Sequence, residues 1–340
     1  MARKDAKPPA RHEQNGSARY RVASLFSGIG GFDLGFERAG FEITFQCEID
    51  SFCHAVLERR WPKVPKARDI KELTSADIPS SDIWVAGFPC QDVSLARMGK
   101  RAGLKGSQSG LFYDFARLVG EGGPRLFVIE NVSGLLSSHG GRDFGIVLGT
   151  LAELGYSLGW RLLDSKNFAV PQSRSRVFVV GCDRDWGGSP QILFEPERSR
   201  GMPAQGGSNG SKPVSPFKRI LEHPGGKRPV TKAIAYCLYA ESARHTGTDW
   251  SRNYVCYPEE GRVRRLTPTE CEGVMAFPRN WTNLHVGLEG EALDTARYHA
   301  LGNAVTPPVV EWVANRIKRY LSQEDAFLME DAAEAAAAIA

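Results

Sequence analysis

The feature of this sequence that most limits its fold is an alternation of short apolar runs with amphipathic segments between residues 21 and 182. Strands are predicted at 21–26, 43–49, 83–88, 126–130, 158–164 and 177–182, and helices at 31–39, 50–60, about 110–119 and 142–154. Such alternation is typical of a parallel sheet covered by helices. The sequence therefore predicts an α/β fold with a doubly wound, mostly parallel sheet.

A change of composition near Trp186 marks a domain boundary. Glycine, proline and serine become frequent there, and no long helix fits before Phe217. Helix signals return where Thr267 and Glu270 form a capping box, and again at Thr306, whose helix is expected to reach about residue 321. We predict four parts: a disordered basic arm at 1–19, a large domain of 20–187 plus 297–322, a smaller domain with a hinge at 188–296, and an acidic, alanine-rich tail at 323–340.

Composition places the chain among globular intracellular proteins. Its 340 residues include 43 basic and 39 acidic side chains, so the net charge is +4. The seven cysteines are scattered without the paired spacing of zinc ligands, which predicts reduced thiols and no metal. With neither a long apolar run nor an apolar N-terminal segment, we expect a soluble, cytoplasmic protein that spans no membrane.

The basic side chains are unevenly distributed. Residues 188–265 carry thirteen basic against seven acidic side chains. This excess suits a polyanionic partner, although basic loops also occur simply as solvated surface.

A glycine turn follows the first predicted strand, in the stretch "LFSGIGGFDLGFERAGFE". A dinucleotide fingerprint would need a glycine where this chain has Asp33, and an acid there is expected to oppose a pyrophosphate. The alternative is a tight strand–helix corner with no ligand. If a ligand binds, the turn favours a neutral or cationic nucleoside.

Polar and aromatic residues near the turn support a nucleoside ligand. Glu48 ends the second predicted strand, where a carboxylate accepts hydrogen bonds from ribose hydroxyls. Asp69 offers an acceptor for an exocyclic amine, and Phe26 offers a ring face for adenine. Together they suit S-adenosylmethionine, which has a positive sulfonium group and no phosphate.

One cysteine stands at a position where ligands bind in α/β sheets. Cys90 follows Pro89 at the end of a predicted strand, and Glu130 ends the next buried strand at the same level. A lone cysteine is more often an inert core residue. Beside a methyl donor, however, a thiolate that adds to C6 of cytosine and a carboxyl group that donates to N3 would make C5 nucleophilic.

Six motifs in a fixed order give the sequence a family resemblance: "LFSGIGGFDLGFERAGFE", "GFPCQDVS", "ENV" at 130–132, "NFAVPQSRSRVFVVG", "RRLTPTECEGVMAFP" and "LGNAVTPP". Over 21–310 the sequence resembles the compact, single-chain cytosine-C5 DNA methyltransferases. The resemblance implies a Rossmann-like domain of the S-adenosylmethionine-dependent methyltransferase type, here 20–187 plus 297–322, and a target-recognition domain with a hinge at 188–296.

Carried over residue by residue, the resemblance implies roles for individual side chains. Cys90 would be the nucleophile and Glu130 the partner of N3, with Arg174 and Arg176 anchoring the flipped base and nearby backbone. The residues implied around S-adenosylmethionine are Phe26, Gly28, Ile29, Gly31, Glu48, Ile49, Asp69, Ile70, Pro89, Leu111 and Asn303. Because Asn303 lies so late in the chain, the C-terminal helix is expected to fold back onto the first domain.

The resemblance also implies double-stranded DNA as partner and a mobile loop between Asp92 and Asp114. Candidate DNA-binding residues are Ser94, Arg97, Met98, Lys100, Arg101, Arg244 and Arg252, and side chains suited to reading base edges include His245, Thr248, Asn253 and Tyr254. The Thr-Leu, Thr-Val or Thr-Ile pair that the family often shows in the recognition region is left unassigned.

Two further expectations follow from the resemblance. A monomer acting in the nucleoid, with a cognate restriction endonuclease cutting the same site, is the expected setting. The alternative is a transfer-RNA cytosine-C5 methyltransferase, which uses the same motifs but has a Cys-Phe-Thr signature that this chain lacks.

Overall fold

A computed structural model describes residues 20–88, 110–183, 190–194, 231–232, 234–240, 253–284 and 286–339, with side chains as far as residue 323. Its centre is a seven-stranded sheet with the order β3-β2-β1-β4-β5-β7-β6. Only β7 runs against its neighbours in this sheet. The strands are β1 Arg21–Leu25, β2 Glu42–Cys47, β3 Lys66–Ala67, β4 Ile83–Ala86, β5 Leu126–Val132, β6 Tyr156–Asp164 and β7 Ser175–Asp183. The predicted α/β fold with a mostly parallel sheet is confirmed.

Helices cover both faces of the sheet. They are α1 Gly31–Arg38, α2 Ser51–Arg60, α3 Leu111–Gly122, α4 Arg142–Glu153, α5 Pro268–Val274, α6 Gly290–Asn303 and α7 Pro307–Ile339. One apolar core joins α3 and α4 to one face, and a second joins α1 and α7 to the other. The C-terminal helix thus returns to the first strand–helix unit, as the order of the motifs suggested.

A third apolar core lies beside the sheet. It joins α2 to α5, α6 and a two-stranded hairpin, which consists of β8 Tyr254–Tyr257 and β9 Arg262–Arg265. Arg264 on β9 donates two hydrogen bonds to the fully buried Glu270 of α5, at 2.7 and 2.8 Å. This core gives the late segments of the chain a direct connection to α2.

Local capping signals in the sequence are present in the structure. Asp50 accepts a hydrogen bond from the Cys53 amide at the start of α2, and Thr267 with Glu270 forms the predicted capping box of α5. The hydroxyl of Thr306 instead lies 2.7 Å from the Ser165 hydroxyl. The predicted end of the last helix is wrong, because α7 continues past residue 321 to Ile339.

Long-range pairing explains another difference. Strand β5 was expected to end at Glu130, but it extends to Val132. Its parallel pairing with β4 ends at Ile129, whereas its antiparallel pairing with β7 continues to Val132 opposite Arg176. The β8–β9 hairpin and α6 were not anticipated from the sequence. No helix in the described part of the chain is both long and apolar enough to cross a membrane.

Candidate active site

The registers of the sheet bring the ends of four parallel strands to one level. Cys47, Leu25, Ala86 and Ile129 lie side by side across β2, β1, β4 and β5. Beyond this row the chain continues into Glu48, Phe26, Gly87 and Glu130. Strand order reverses between β1 and β4, which is where doubly wound sheets form their ligand crevice.

The glycine turn and Glu48 meet at this crevice. Gly28 has a φ of 56° and donates its amide to Glu48 Oε2 at 2.7 Å. The other carboxylate oxygen accepts the Asp50 amide at 2.8 Å. Burial raises the pKa of Glu48, and these two amides oppose the rise. Each oxygen retains capacity for one more donor, such as a sugar hydroxyl.

Apolar surface lies next to this carboxylate. Ile49 is 63% exposed, and the Phe26 ring meets Phe88 edge-on with ring centres 6.5 Å apart. Asp69 is half-buried and caps a short 3₁₀ helix by accepting the Lys71 amide at 3.0 Å. Half-buried Leu111 starts α3, whereas Ile70 is buried. Acidic acceptors and exposed apolar faces fit a nucleoside without phosphate.

Three predicted cofactor residues differ in what they can offer. The side chain of Ile29 is fully buried in the third core. A Cβ at Gly31 would stand 2.5 Å from the Val305 carbonyl oxygen, so the packing of α1 against Val305 itself requires glycine there. Asn303, by contrast, ends α6 with an exposed side chain.

Asp33 does not face the crevice, which corrects the argument that its charge would repel a bound pyrophosphate. It is fully buried beneath the turn, where it accepts hydrogen bonds from the Ser24 hydroxyl at 3.0 Å and from the side-chain amide of Gln46 at 2.7 Å. Burial raises the pKa of Asp33 to about 6. The residue ties α1 to β1 and β2.

Glu130 stands in the sheet with its carboxyl at the crevice. The β5–β7 register places it opposite Phe178 and diagonal to Arg176, so the two charged side chains share one face. Arg176 Nε lies 3.2 Å from Glu130 Oε1, without the alignment of a hydrogen bond. Burial raises the pKa of Glu130, while the Arg176 and Arg174 charges oppose this.

Residues around Glu130 join it to neighbouring segments. Asn131, which is buried, donates its side-chain amide to the Phe88 carbonyl at 3.2 Å. A Cβ at Gly87 would lie 3.7 Å from Glu130 Oε2. Phe88 precedes Cys90 by two residues, so the chain leading to the cysteine passes beside the carboxyl group.

Arg174 is placed differently from its expected base-anchoring role. It is 2% exposed, and its terminal nitrogens donate to the carbonyls of Leu238, Gly302 and Ala304 at 2.8–2.9 Å. These bonds fix the backbone on both sides of Asn303. Just before β7 begins at Ser175, the terminal nitrogens of this guanidinium are thus occupied by main-chain acceptors.

Sequence reasoning missed two residues that hold this region. Gln172 is fully buried and accepts the Leu238 amide at 2.9 Å while donating to the Val274 carbonyl at 3.3 Å. Cys237 Sγ lies 3.3 Å from Arg174 Nη1 and 3.9 Å from Arg176 Nη2. The only sequence signal was the proximity of Gln172 to the two arginines in one motif.

Asn253, a candidate for reading base edges, has both ends of its amide bound to the Tyr236 backbone, at 2.7 and 3.1 Å. It therefore joins the segment near Cys237 to β8.

Several predicted residues lie outside the described residues: Pro89, Cys90, Ser94, Arg97, Met98, Lys100, Arg101, Arg244, His245, Thr248 and Arg252. The arm at 1–19 does as well. Among the described residues, no group of three His, Cys, Asp or Glu side chains could hold a metal ion.

The strand order and the crevice at the reversal between β1 and β4 define a Rossmann-like α/β fold. Solved structures support this fold: the Entamoeba histolytica methyltransferase EhMeth has a TM-score of 0.67 at 16% identity, covering 90% of this chain and 99% of that one. The S. pombe Dnmt2 methyltransferase has a TM-score of 0.64 at 20% identity, with the same two coverages.

The chain belongs to the C-5 cytosine-specific DNA methylase family, which it matches over residues 20–223 and 221–319. Among curated relatives, the Type II methyltransferase M.SsoII of Shigella sonnei is 30% identical over 325 residues, 91% of this chain and 82% of that protein. The Type II methyltransferase M1.ScrFI of Lactococcus lactis subsp. cremoris is 30% identical over 327 residues, 92% of this chain and 81% of that protein. The family resemblance of the sequence is confirmed.

Proposed function

We propose that this protein transfers the methyl group of S-adenosylmethionine to C5 of a cytosine flipped out of duplex DNA, through a temporary bond between Cys90 and C6. The observation that carries the proposal is the state of Glu130. It is a buried carboxyl with a raised pKa, beside the chain that leads to Cys90, and one of its oxygens accepts no hydrogen bond from the part of the chain that the structure describes.

The proposed chemistry requires one nucleophile and one acid. The Cys90 thiolate adds to C6 while Glu130 gives its proton to N3, and the electrons of the C5–C6 double bond become available at C5. S-adenosylmethionine would supply an electrophilic methyl group to C5 and would leave as S-adenosylhomocysteine when its methyl–sulfur bond breaks. A base then removes the C5 proton, the C5–C6 double bond re-forms, the thiolate leaves C6, and N3 returns its proton to Glu130.

Burial and Arg176 act in opposite directions on the pKa of Glu130, which suits proton transfer in both directions. Burial favours the protonated carboxyl that must donate at the first step. The Arg176 guanidinium, 3.2 Å from the carboxyl, favours the ionised form that must take the proton back. A carboxyl with both influences suits an acid that acts near neutral pH.

The residues around the glycine turn would hold the cofactor. Glu48 would accept the ribose hydroxyls, Asp69 would accept the adenine amine, and Ile49 with Phe26 would cover the adenine ring. Asn303 would approach from the C-terminal side, on backbone that Arg174 fixes. Burial of apolar surface at Ile49 would contribute affinity.

Residues outside the described parts would hold the DNA. Ser94, Arg97, Met98, Lys100 and Arg101 belong to the proposed loop that closes over the flipped base, and Arg244 with Arg252 belongs to the recognition region. Phosphate contacts would supply affinity and base edges specificity. We propose a monomer in the nucleoid with a cognate restriction endonuclease, in line with the Type II names of the relatives.

Transfer of a labelled methyl group tests the proposal. Wild-type protein with labelled S-adenosylmethionine is expected to label duplex DNA, and Cys90→Ala is expected to lose this labelling. Duplex DNA with 5-fluorocytosine in the methylated site should trap a covalent adduct with wild type only, because fluorine cannot leave C5 as the proton does. Labelling of transfer RNA but not DNA would contradict the proposal, as would absence of the adduct on a confirmed site.

A further inference from the structure

The glycine turn is held from outside the first domain by one tryptophan. Trp281, which is 6% exposed, donates its indole N–H to the Ile29 carbonyl at 2.9 Å. The two residues are 252 positions apart in the sequence. The Ile29–Gly30 peptide is also held at its other end, where the Gly30 amide donates to the Ser27 carbonyl at 2.9 Å. Both ends of this peptide are therefore held, and Trp281 holds its carbonyl end.

A second tryptophan packs against the same peptide. Gly30 has a φ of 82°, and a Cβ built there would stand 2.4 Å from the Trp61 ring, so glycine is required on both grounds. Trp61 in turn meets Trp281 edge-on, with ring centres 5.7 Å apart and planes at 71°. The turn is thus enclosed by two aromatic rings that also pack on each other.

Trp281 itself is fixed from several sides. The Arg60 guanidinium lies 4.3 Å from the centre of the Trp281 ring and donates to the Trp281 carbonyl at 2.7 Å. The next residue, Thr282, donates its amide and hydroxyl to the buried Glu272, at 2.8 and 2.6 Å. Arg297 of α6 donates to Glu272 at 3.1 Å. A side chain supported this firmly can set the position of its partner.

We propose that Trp281 is a positioning residue for S-adenosylmethionine, acting through the Ile29–Gly30 peptide of the glycine turn. This inference rests on the proposed function, because it assigns the turn to that cofactor. The cofactor side of the turn is held by Glu48, which accepts the Gly28 amide, and the opposite side is held by Trp281. Loss of the indole N–H leaves the Ile29 carbonyl without this donor and lets the peptide rotate.

The test compares Trp281→Phe with Trp312→Phe. The first keeps an aromatic ring and removes the N–H; the second makes the same change on α7, where Trp312 packs against Phe168. For Trp281→Phe we expect about 5- to 10-fold weaker binding of S-adenosylmethionine by calorimetry, about what one net hydrogen bond contributes. The KM for the cofactor should rise by a similar factor, while kcat at saturation matches that of Trp312→Phe.

Hydrogen exchange of the wild-type protein provides a second measurement that needs no variant. Adding S-adenosylmethionine should slow exchange in peptides covering 27–31 and 277–284 together, and leave 309–316 unchanged. Protection of 27–31 without 277–284, or equal cofactor affinity of Trp281→Phe and wild type, overturns the inference alone. Absence of cofactor binding to wild type overturns the proposed function, and this inference with it.

Discussion

Two buried carboxyl groups, Asp33 beneath the glycine turn and Glu130 at the crevice, have raised pKa values for the same reason and yet differ in what they can do. Both oxygens of Asp33 accept hydrogen bonds from neutral donors, Ser24 and Gln46. Glu130 Oε1 accepts no hydrogen bond from the described residues and lies 3.2 Å from Arg176 Nε. A raised pKa marks burial; unused bonding capacity at a crevice marks a candidate catalytic group.

The largest expected effect is on activity, from Glu130→Gln. Glutamine keeps the size of the side chain but has no acidic proton to give to N3. We expect kcat to fall about 10²- to 10⁴-fold, the usual contribution of a positioned acid. Methyl transfer to duplex DNA under single-turnover conditions measures this loss.

Asp33→Asn is the matched control, because it makes the same change in a carboxyl whose two oxygens already accept hydrogen bonds from Ser24 and Gln46. It should retain most of the activity at neutral pH. Equal losses of activity in both variants, with unchanged folding by circular dichroism, would show that the distinction between the two carboxyls is wrong.

The arginines near Glu130 extend the comparison from activity to stability. The terminal nitrogens of Arg174 donate to three carbonyls, whereas Arg176 donates to the Ser175 carbonyl at 2.8 Å and forms an ion pair with Glu130 at 3.2 Å. Arg174→Met keeps an apolar stem and leaves those carbonyls without their charged donor. We expect a loss of about 3 kcal/mol in the free energy of unfolding, measured by urea denaturation.

Arg176→Met provides the contrast to Arg174→Met. It should cost less stability and more activity, because its partner is the proposed acid. The reverse order of stability losses would contradict the structural role given to Arg174.

The burial of Asp33 should also change how the free energy of unfolding depends on pH. Its folded-state pKa, about 6, is above its usual value of 3.8, so its contribution to stability is present below 3.8 and is lost as pH rises through 6. Asparagine lacks this titration. The free energy of unfolding of Asp33→Asn minus that of wild type should therefore rise by about 2 kcal/mol between pH 4 and pH 7. A flat difference would show that burial does not disfavour the ionised carboxyl.

The difference between the two acids also shows how much of the fold and the site can be predicted from the sequence. The alternation of apolar runs, the Asp50 cap and the Thr267–Glu270 capping box are local patterns, and the structure confirms them. Asp33 was misread because position alone suggested that it faced the ligand; its burial depends on β2, which supplies Gln46. Glu130 was noticed because an acid ended an apolar run.

The features that could not be predicted from the sequence depend on long-range contacts. Neither the occupation of Arg174 by carbonyls 64 to 130 residues away nor the bond from Trp281 to Ile29 has a local signal. The extension of β5 likewise depends on its antiparallel neighbour. The motifs thus predict which residue types occur at the site. Predicting the hydrogen-bond partner of each side chain requires the packed fold.

The smallest expected effect concerns an acid that is neither buried nor catalytic. Glu121, in the last turn of α3, accepts hydrogen bonds from Arg117 at 2.7 Å and from the Ser75 amide at 3.0 Å. The Arg117 hydrogen bond lowers the pKa of Glu121, so the contribution of this acid to stability is present above its usual pKa and is lost as pH falls. Since both charges meet solvent, Glu121→Gln should cost at most about 0.5 kcal/mol.

Salt separates this exposed pair from the buried acids. In about 1 M salt, where the Debye length is about 3 Å, the difference between Glu121→Gln and wild type in urea denaturation should shrink toward zero. The pH-dependent difference of Asp33→Asn should persist there, because ions do not screen a group inside the core. If the effect at Asp33 faded with salt as fast as that at Glu121, the carboxyl would be in contact with solvent, and the contrast with Glu130 would have to be drawn from the crevice geometry alone.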